Sequence, residues 1–282
     1  MRFKSALLNV FIGITACTAI GLALYPTVAN VINQLDQNNS IVTYNKVIQN
    51  TDTTKLDEMY GQAQEYNENF ANGQSLFSLS EEEKEEYDSL LNATGDGVMA
   101  SIEIPKQNIR LQIYHGTSDE VLEKAVGHLE GTSLPVEGKS VHSIITGHTG
   151  LPNLDLFTDI REMELGDTFS ITVLNRKLTY TVDQIDTVLP EELYNLQIEN
   201  GKNYCTLVTC TPYGVNDHRL LVRGTLTKTE MVNSTVESVQ SSAITITSSD
   251  GLITLIQMGC IAVAILGGLV VVFFIIRYLK NR

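Results

Sequence analysis

Two long apolar runs bracket a chain whose interior alternates between apolar and polar positions. Ala6 to Tyr25 is broken only by Asn9, Thr15 and Thr18, and Leu252 to Ile276 mainly by Thr254 and Gln257. Roughly 20 apolar residues in a helix cross the hydrocarbon core of a bilayer. Residues 251–276 therefore predict a transmembrane helix. Residues 1–25 read as a membrane anchor or a cleaved signal segment, since Arg2 and Lys4 precede the run and Thr27-Val28-Ala29 offers a cleavage site. After the first run, Val28, Val31, Ile32 and Leu35 recur at helical spacing, as do Tyr44, Val47 and Ile48, then Leu56, Met59 and Tyr60. Residues 26–79 are thus expected to form helices packed outside a domain; the bland alternative is a partly ordered stalk. Ser80 and Glu83 form a capping box, Tyr87, Leu90 and Leu91 give the following helix a buried stripe, and Gly95-Asp96-Gly97 is expected to end it.

From Val98 the period shortens to two. Strands are predicted at Val98–Ile104, Ile109–Tyr114, Ser143–Thr146, Thr168–Val173, Lys177–Val188, Tyr204–Thr211 and Arg219–Thr227. Leu178, Tyr180 and Val182 alternate with Thr179 and Thr181, as in a half-buried strand. Asn175-Arg176 reads as a hairpin turn, and Val121 to Leu129 as a short helix. Many short strands with few helices indicate a mostly β barrel or sandwich over residues 80–228. The Ser/Thr-rich stretch 229–250 reads as a linker to the second apolar run, and 277–282 as a basic tail.

Charge changes the picture of partners. Of 19 basic residues, Arg2, Lys4, Arg277, Lys280 and Arg282 lie outside the apolar runs, while all 33 acidic residues lie between them. The middle therefore carries 14 basic against 33 acidic residues, a net −19. Such a domain repels nucleic acid, so no nucleic-acid partner is expected. Basic flanks at both ends predict cytoplasmic termini and an extracytoplasmic domain from about residue 26 to 250.

Cys17 and Cys260 fall inside the apolar runs, leaving Cys205 and Cys210. Five residues apart in one predicted strand, these two point to opposite faces, which argues against a disulfide. A free cysteine in an exported domain calls for a functional account. Cys210 ends the apolar strand Thr206-Leu207-Val208-Thr209 and is followed by Thr211-Pro212-Tyr213-Gly214. A second strand resumes at Arg219. If the two strands pair around that turn, Cys210 and Arg219 are cross-strand neighbours on one face. A guanidinium there could favour the thiolate and donate hydrogen bonds to an oxyanion. A cysteine nucleophile also needs a base. His148 stands at the end of a β run between glycines, in Thr146-Gly147-His148-Thr149-Gly150. His142 shares a strand face with Ile144 and Thr146 and is expected to pack there. His115, His128 and His218 are expected in loops. The five histidines lack metal-ligand spacing, so no metal or other cofactor is expected.

Thr206-Leu-Val-Thr-Cys210-Thr-Pro-Tyr-Gly followed by Arg219 resembles the TLxTC…R signature of sortases, and Thr146-Gly-His148-Thr-Gly-Leu-Pro their histidine motif. Ile102-Glu-Ile-Pro-Lys106, Ile113-Tyr-His-Gly-Thr117 and Val126-Gly-His-Leu-Glu-Gly131 resemble class C, pilus-type members in particular. The resemblance covers roughly residues 85 to 227. It implies a closed sortase-type β-barrel of about eight strands and a cysteine transpeptidase with Cys210, His148 and Arg219 as its catalytic set. It also implies cleavage of an LPXTG-like sorting signal at Thr–Gly, transfer to a pilin lysine, and Thr209 as a substrate contact. Class C members carry an Asp-Pro-aromatic lid. This chain has no Asp-Pro pair, and Phe70 and Phe77 are the rings that could serve in its place. Two rival readings remain open: a sortase that anchors surface proteins to peptidoglycan, and a non-enzymatic surface-binding module. Oligomeric state is not legible.

Overall fold

The computed structural model describes residues 2–71, 79–151 and 156–232. The predicted transmembrane helix at 251–276, most of the linker and Phe77 lie outside the described residues. The chain divides into two units, Leu35 ending the first and Asp36 opening the second.

In the first unit, the helix α1 (Arg2–Asn50) begins, and Phe11, Ile12, Ile14, Ile20, Leu22 and Leu24 are all exposed along it. Among the described residues no single helix is long and apolar enough to cross a membrane. The bent pair Phe11–Tyr25 and Val28–Asn50 passes that test together, by length and composition.

The second unit contains the rest of α1, α2 (Thr53–Ala71), α3 (Glu81–Ser89), β1 (Val98–Ile104), β2 (Ile109–His115), the single turn α4 (Asp119–Leu122), β3 (Val126–His128), β4 (Val141–Thr146), β5 (Thr168–Val173), β6 (Arg176–Val188), β7 (Asn203–Thr211) and β8 (His218–Met231). The strands close a barrel in the order β1-β2-β3-β4-β7-β8-β6-β5, with β5 returning to β1. Two neighbouring pairs, β2–β3 and β4–β7, are parallel; the others are antiparallel. Closure removes the unpaired edges that an open sheet exposes. Alternate residues point inward, and Ile102, Ile113, Ile171, Tyr180 and Leu207 are fully buried there.

The N-terminal helices belong to the same core and are not a loose stalk. Tyr44, Ile48, Leu56 and Tyr60 are buried against the barrel, the positions that the helical spacing singles out. Tyr44 bridges two strands' ends, its hydroxyl donating to Met99 O (3.1 Å) and accepting from Leu174 N (3.0 Å). This contact accounts for a turn one residue earlier than the sequence indicates. The β5–β6 hairpin turns at Leu174-Asn175, with Leu174 at φ 50 and its side chain buried. On α2, Asn67 exchanges two hydrogen bonds with the backbone of Leu134 (2.7 and 2.9 Å). Phe70, a lid candidate, is 2% exposed and stacks on Tyr66. It serves the packing of α2 and is not a ring at liberty to plug a cleft.

Three further expectations need correction. The capping box at Ser80 and Glu83 forms, but α3 stops at Ser89 because Leu90 turns extended and Leu91 takes φ 56, both side chains being drawn into the core. The helix expected over Val121–Leu129 is one turn followed by β3, which pairs in parallel with β2 (Ile113↔Val126). β8 runs on to Met231, pairing with Arg176 of β6, so the linker begins later than expected.

The histidines outside the site are strand residues rather than loop residues. His115 ends β2, His218 opens β8, and His128 ends β3, fully buried. His128 Nε2 lies 2.8 Å from Ser133 O, which can only accept, so Nε2 carries the proton and Nδ1 faces the Tyr87 hydroxyl at 2.9 Å. Burial pushes this imidazole down from 6.5 to about 4, against the Ser133 hydrogen bond and with a small push from His115. Between those values the unfolded chain takes up a proton that the folded chain does not. Stability should therefore fall as pH drops from about 6.5 to about 4, by about 3 kcal/mol from this group, and lose nothing more to it below. Urea titrations of the wild type and His128→Gln across that window test this: the variant's pH slope should be flatter by that amount. Identical slopes would show that burial does not depress the His128 pKa.

Candidate active site

Cys210 lies at the end of β7 and pairs with Arg219 of β8, the juxtaposition that the intervening turn suggests. The third member arrives from a parallel neighbour. β4 pairs with β7 through Ile144↔Thr206 and Thr146↔Val208, and the register continues past the strand end, where Gly147 N donates to Val208 O (3.0 Å). Two residues beyond Thr146, His148 stands alongside Cys210. By that register His148, just past the end of β4, falls in a row with Cys210 and Arg219 at the ends of β7 and β8. Neighbouring strands are about 4.8 Å apart, so the three positions lie side by side.

Strand alternation decides which cysteine faces that row. Cys205 and Leu207 lie in the barrel core, whereas Val208 packs on the outer face with Ile144, Leu221, Val188 and Leu196. Cys210 has the parity of Val208 and Arg219 that of Leu221, so both belong to the outer face. All three members of the row are half-buried. Arg219 is steered by its own loop: Nη1 donates to His218 O (3.0 Å) and Asn216 O (3.2 Å). Among the described residues Nε and Nη2 meet no acceptor, and neither ring nitrogen of His148 is hydrogen-bonded. A guanidinium with two unengaged donor nitrogens and an unengaged imidazole therefore occupy the positions beside Cys210.

Thr209 does not face this side. It is buried, and its hydroxyl donates to Gly147 O at 2.7 Å. The expectation of a substrate contact is corrected to a positioning role, fastening the histidine loop to the nucleophile strand. The two glycines beside His148 have separate reasons. A Cβ at Gly147 would meet the Phe157 ring and Val126 at 2.8 Å, so backbone packs there directly. Gly150 has φ +75, and a Cβ on it would lie 2.9 Å from the Tyr213 ring. Tyr213, three residues after Cys210, thereby covers the histidine loop, with the Arg161 guanidinium 5.8 Å from its ring. The Tyr213 contact was invisible in the sequence; the second glycine of the histidine motif was its only trace.

His142 is buried, as expected, but not idle packing: its ring bonds Gln197 O (2.8 Å) and Thr206 Oγ1 (2.7 Å). His218 pairs with Asp217 (2.8 Å), half-exposed.

Comparison with known proteins agrees with the barrel. The family model described as the sortase domain matches residues 102–227. Sortase C1 from Streptococcus agalactiae is 46% identical over 67% of this chain and 98% of its own, with a TM-score of 0.66. The chain belongs to the sortase family. Sortases are cysteine transpeptidases, and the structural neighbours of this one are class C members. Clostridium perfringens sortase C, solved with the C-terminal cell wall sorting motif, is 42% identical over 67% of this sortase and 98% of its own chain, at a TM-score of 0.60. Among curated relatives, sortase D of Bacillus subtilis is 29% identical over 112 residues, 40% of this chain and 54% of that protein. The match thus spans about half the length of that relative.

Proposed function

We propose that this sortase cleaves an LPXTG-like sorting signal between threonine and glycine and joins the threonine to a lysine amine of another pilin subunit. The observation that carries this reading is the row of His148, Cys210 and Arg219 on one outer face. The Cys210 thiolate adds to the threonine carbonyl carbon, and the Nε and Nη2 donors of Arg219 receive the oxyanion. The carbon–nitrogen bond then breaks. The His148 imidazolium delivers its proton to the departing glycine amine, leaving a thioester. A neutral lysine amine adds to the thioester carbon, the carbon–sulfur bond breaks, and Cys210 leaves as thiolate. The amine's proton passes to His148, which restores the imidazolium. The sorting motif bound to the Clostridium perfringens neighbour supports the substrate class. The class C neighbours support the pilin acceptor.

The full chain in detergent, given a fluorogenic LPXTG peptide and a lysine-bearing pilin peptide, should form a thioacyl adduct on Cys210 and an amide product that requires the amine. Preference for a peptidoglycan stem-peptide amine would replace pilus assembly with wall anchoring. Absence of any adduct would leave only a binding module.

We also propose that the enzyme is anchored in the cell membrane by residues 1–25 and 251–276, with the catalytic domain outside and both termini inside. The exposed apolar side chains of α1 and the basic residues beyond both runs support this. Protease added to intact protoplasts should destroy the domain and spare a tag on Arg282; a tag lost from outside sinks the topology.

A further inference from the structure

The segment between β6 and β7, residues 189–202, borders the catalytic row at one end only. It leaves the barrel after Val188, which pairs with Arg219, and re-enters at Asn203, which pairs with Val141 at the opposite end of β4. Between those points it crosses the outer face. Leu196, in its short 3-10 turn, packs on Ile144, Val208 and Leu221, the apolar strip that leads along β4, β7 and β8 to Cys210. Before that turn, Leu189, Leu193 and Tyr194 are exposed. A peptide reaching Cys210 on the outer face meets this segment as a wall, so the segment's position sets how closely the peptide is held.

At the centre of the segment, one buried imidazole holds its main chain. His142, on β4, is 1% exposed. Its Nδ1 lies 2.8 Å from Gln197 O, in the middle of the returning leg, and its Nε2 lies 2.7 Å from Thr206 Oγ1 on β7. The Gln197 carbonyl can only accept, so Nδ1 carries the proton and Nε2 accepts from the Thr206 hydroxyl. One neutral ring thereby joins the segment's main chain to two adjacent strands, with the Tyr204 ring set edge-on beside it. The end of this leg is tied separately, Val141 N donating to Lys202 O (2.9 Å) and Gly201 N to Ser140 Oγ (3.0 Å), and Asn195 before it donates to Asp186 (2.8 Å). Arg223 and Tyr204 each reach Glu199 at 3.3 Å, and Ser140 reaches Asn200 at 3.3 Å. The Glu199 carboxylate in the first two of those bonds is half-exposed, which weakens them. A buried bond to a main-chain carbonyl is costlier to lose, because the carbonyl is left without a partner.

We infer that His142 is a positioning residue of this enzyme: through the Gln197 carbonyl it latches segment 189–202 over the outer face and so sets the affinity for the sorting-signal peptide, while the chemical step remains with His148. The inference rests on the transpeptidase reading of the Cys210 row. The electrostatic surroundings agree with a neutral latch. Burial lowers the His142 pKa, the Gln197 bond opposes that, Arg223 of β8 lowers it further, and Glu199 of the segment and Asp183 of β6 raise it.

Three substitutions separate a latch from simple packing. An asparagine amide nitrogen falls near the place of Nδ1, so His142→Asn keeps the donor to Gln197 and drops the Thr206 bond. A glutamine amide falls near Nε2, so His142→Gln keeps the Thr206 bond and drops Gln197. His142→Ala drops both. Amide hydrogen exchange of the full chain without substrate should show residues 189–202 exchanging about tenfold faster in the Gln and Ala variants, with protection largely restored in Asn. The interior of β7 serves as the reference for intact folding in each variant. For the LPXTG peptide, KM should rise about tenfold in Gln and Ala with kcat within about twofold, and recover in Asn. Equal exchange in Asn and Gln, or a fall in kcat at constant KM, would overturn the latch. Because the exchange is read without peptide, a wild type that turns over no sorting signal would instead overturn the transpeptidase reading.

Discussion

Cys210→Ala should reduce transpeptidation to background and abolish the thioacyl adduct, while Cys205→Ala keeps most of the activity. The two thiols differ in every respect that matters to a nucleophile. Cys210 is half-buried on the outer face, at a strand end, opposite Arg219. Cys205 is fully buried inside the barrel, and burial alone pushes its thiol pKa far up, so it has no thiolate to offer. Removing Cys210 removes the atom that holds the acyl group, and no geometry elsewhere in the site replaces it. Removing the Cys205 sulfur leaves a small void in the core, with a stability cost on the order of 1 kcal/mol and no effect on the outer face. Turnover of the fluorogenic peptide, read beside intact-mass detection of the adduct, measures both. Loss of turnover in a folded Cys205 variant would reverse the assignment.

How much of this was legible in the sequence depended on the range of the contact involved. Alternation placed the strands that carry the core, because Leu178, Tyr180 and Val182 face one way whatever their partners are. Local hydrogen bonding placed the start of α3, since Ser80 and Glu83 are three residues apart. The Cys210–Arg219 pair was legible for the same reason: one turn joins their strands. What failed was non-local. β3 exists only because Val126 finds Ile113 in parallel, and its own three residues carry no strand signal. The end of β8 is polar by composition and reads as linker, yet β6 supplies it with a full ladder. At the site, His148 was chosen by its glycines, but its place beside Cys210 comes from the parallel β4–β7 register. Thr209 fastens that register to Gly147, 62 residues away in sequence. Thr209 was misread as a substrate contact although its parity with Cys205 already points it inward. The latch at His142 was beyond reach, because it depends on the path of a segment that no periodicity describes.

His148→Ala and Arg219→Ala should each lower kcat/KM by at least about 100-fold, and the two losses should differ in kind. In the proposed mechanism His148 carries a proton in both half-reactions. Without it the glycine amine departs as a poor anionic leaving group and the incoming lysine has no acceptor for its proton. Acylation and resolution both slow, and no thioester accumulates. Arg219 holds no proton in play. Its loop carbonyls hold Nη1, and Nε and Nη2 meet no acceptor among the described residues. Those donors contribute to charge that exists only in the tetrahedral states. Loss of the guanidinium should therefore appear in kcat, with substrate held nearly as well as before. Arg219→Lys should recover little, since an ammonium supplies a point charge and not the planar fork. Both variants should remain folded, as neither side chain is buried. Single-turnover acylation by mass spectrometry, beside steady-state kinetics with the lysine acceptor, separates the two roles. If His142→Ala abolished acylation while His148→Ala acylated normally, the proton carrier would be the other histidine. If Arg219→Lys matched the wild type, charge rather than directed hydrogen bonding would be what the site requires.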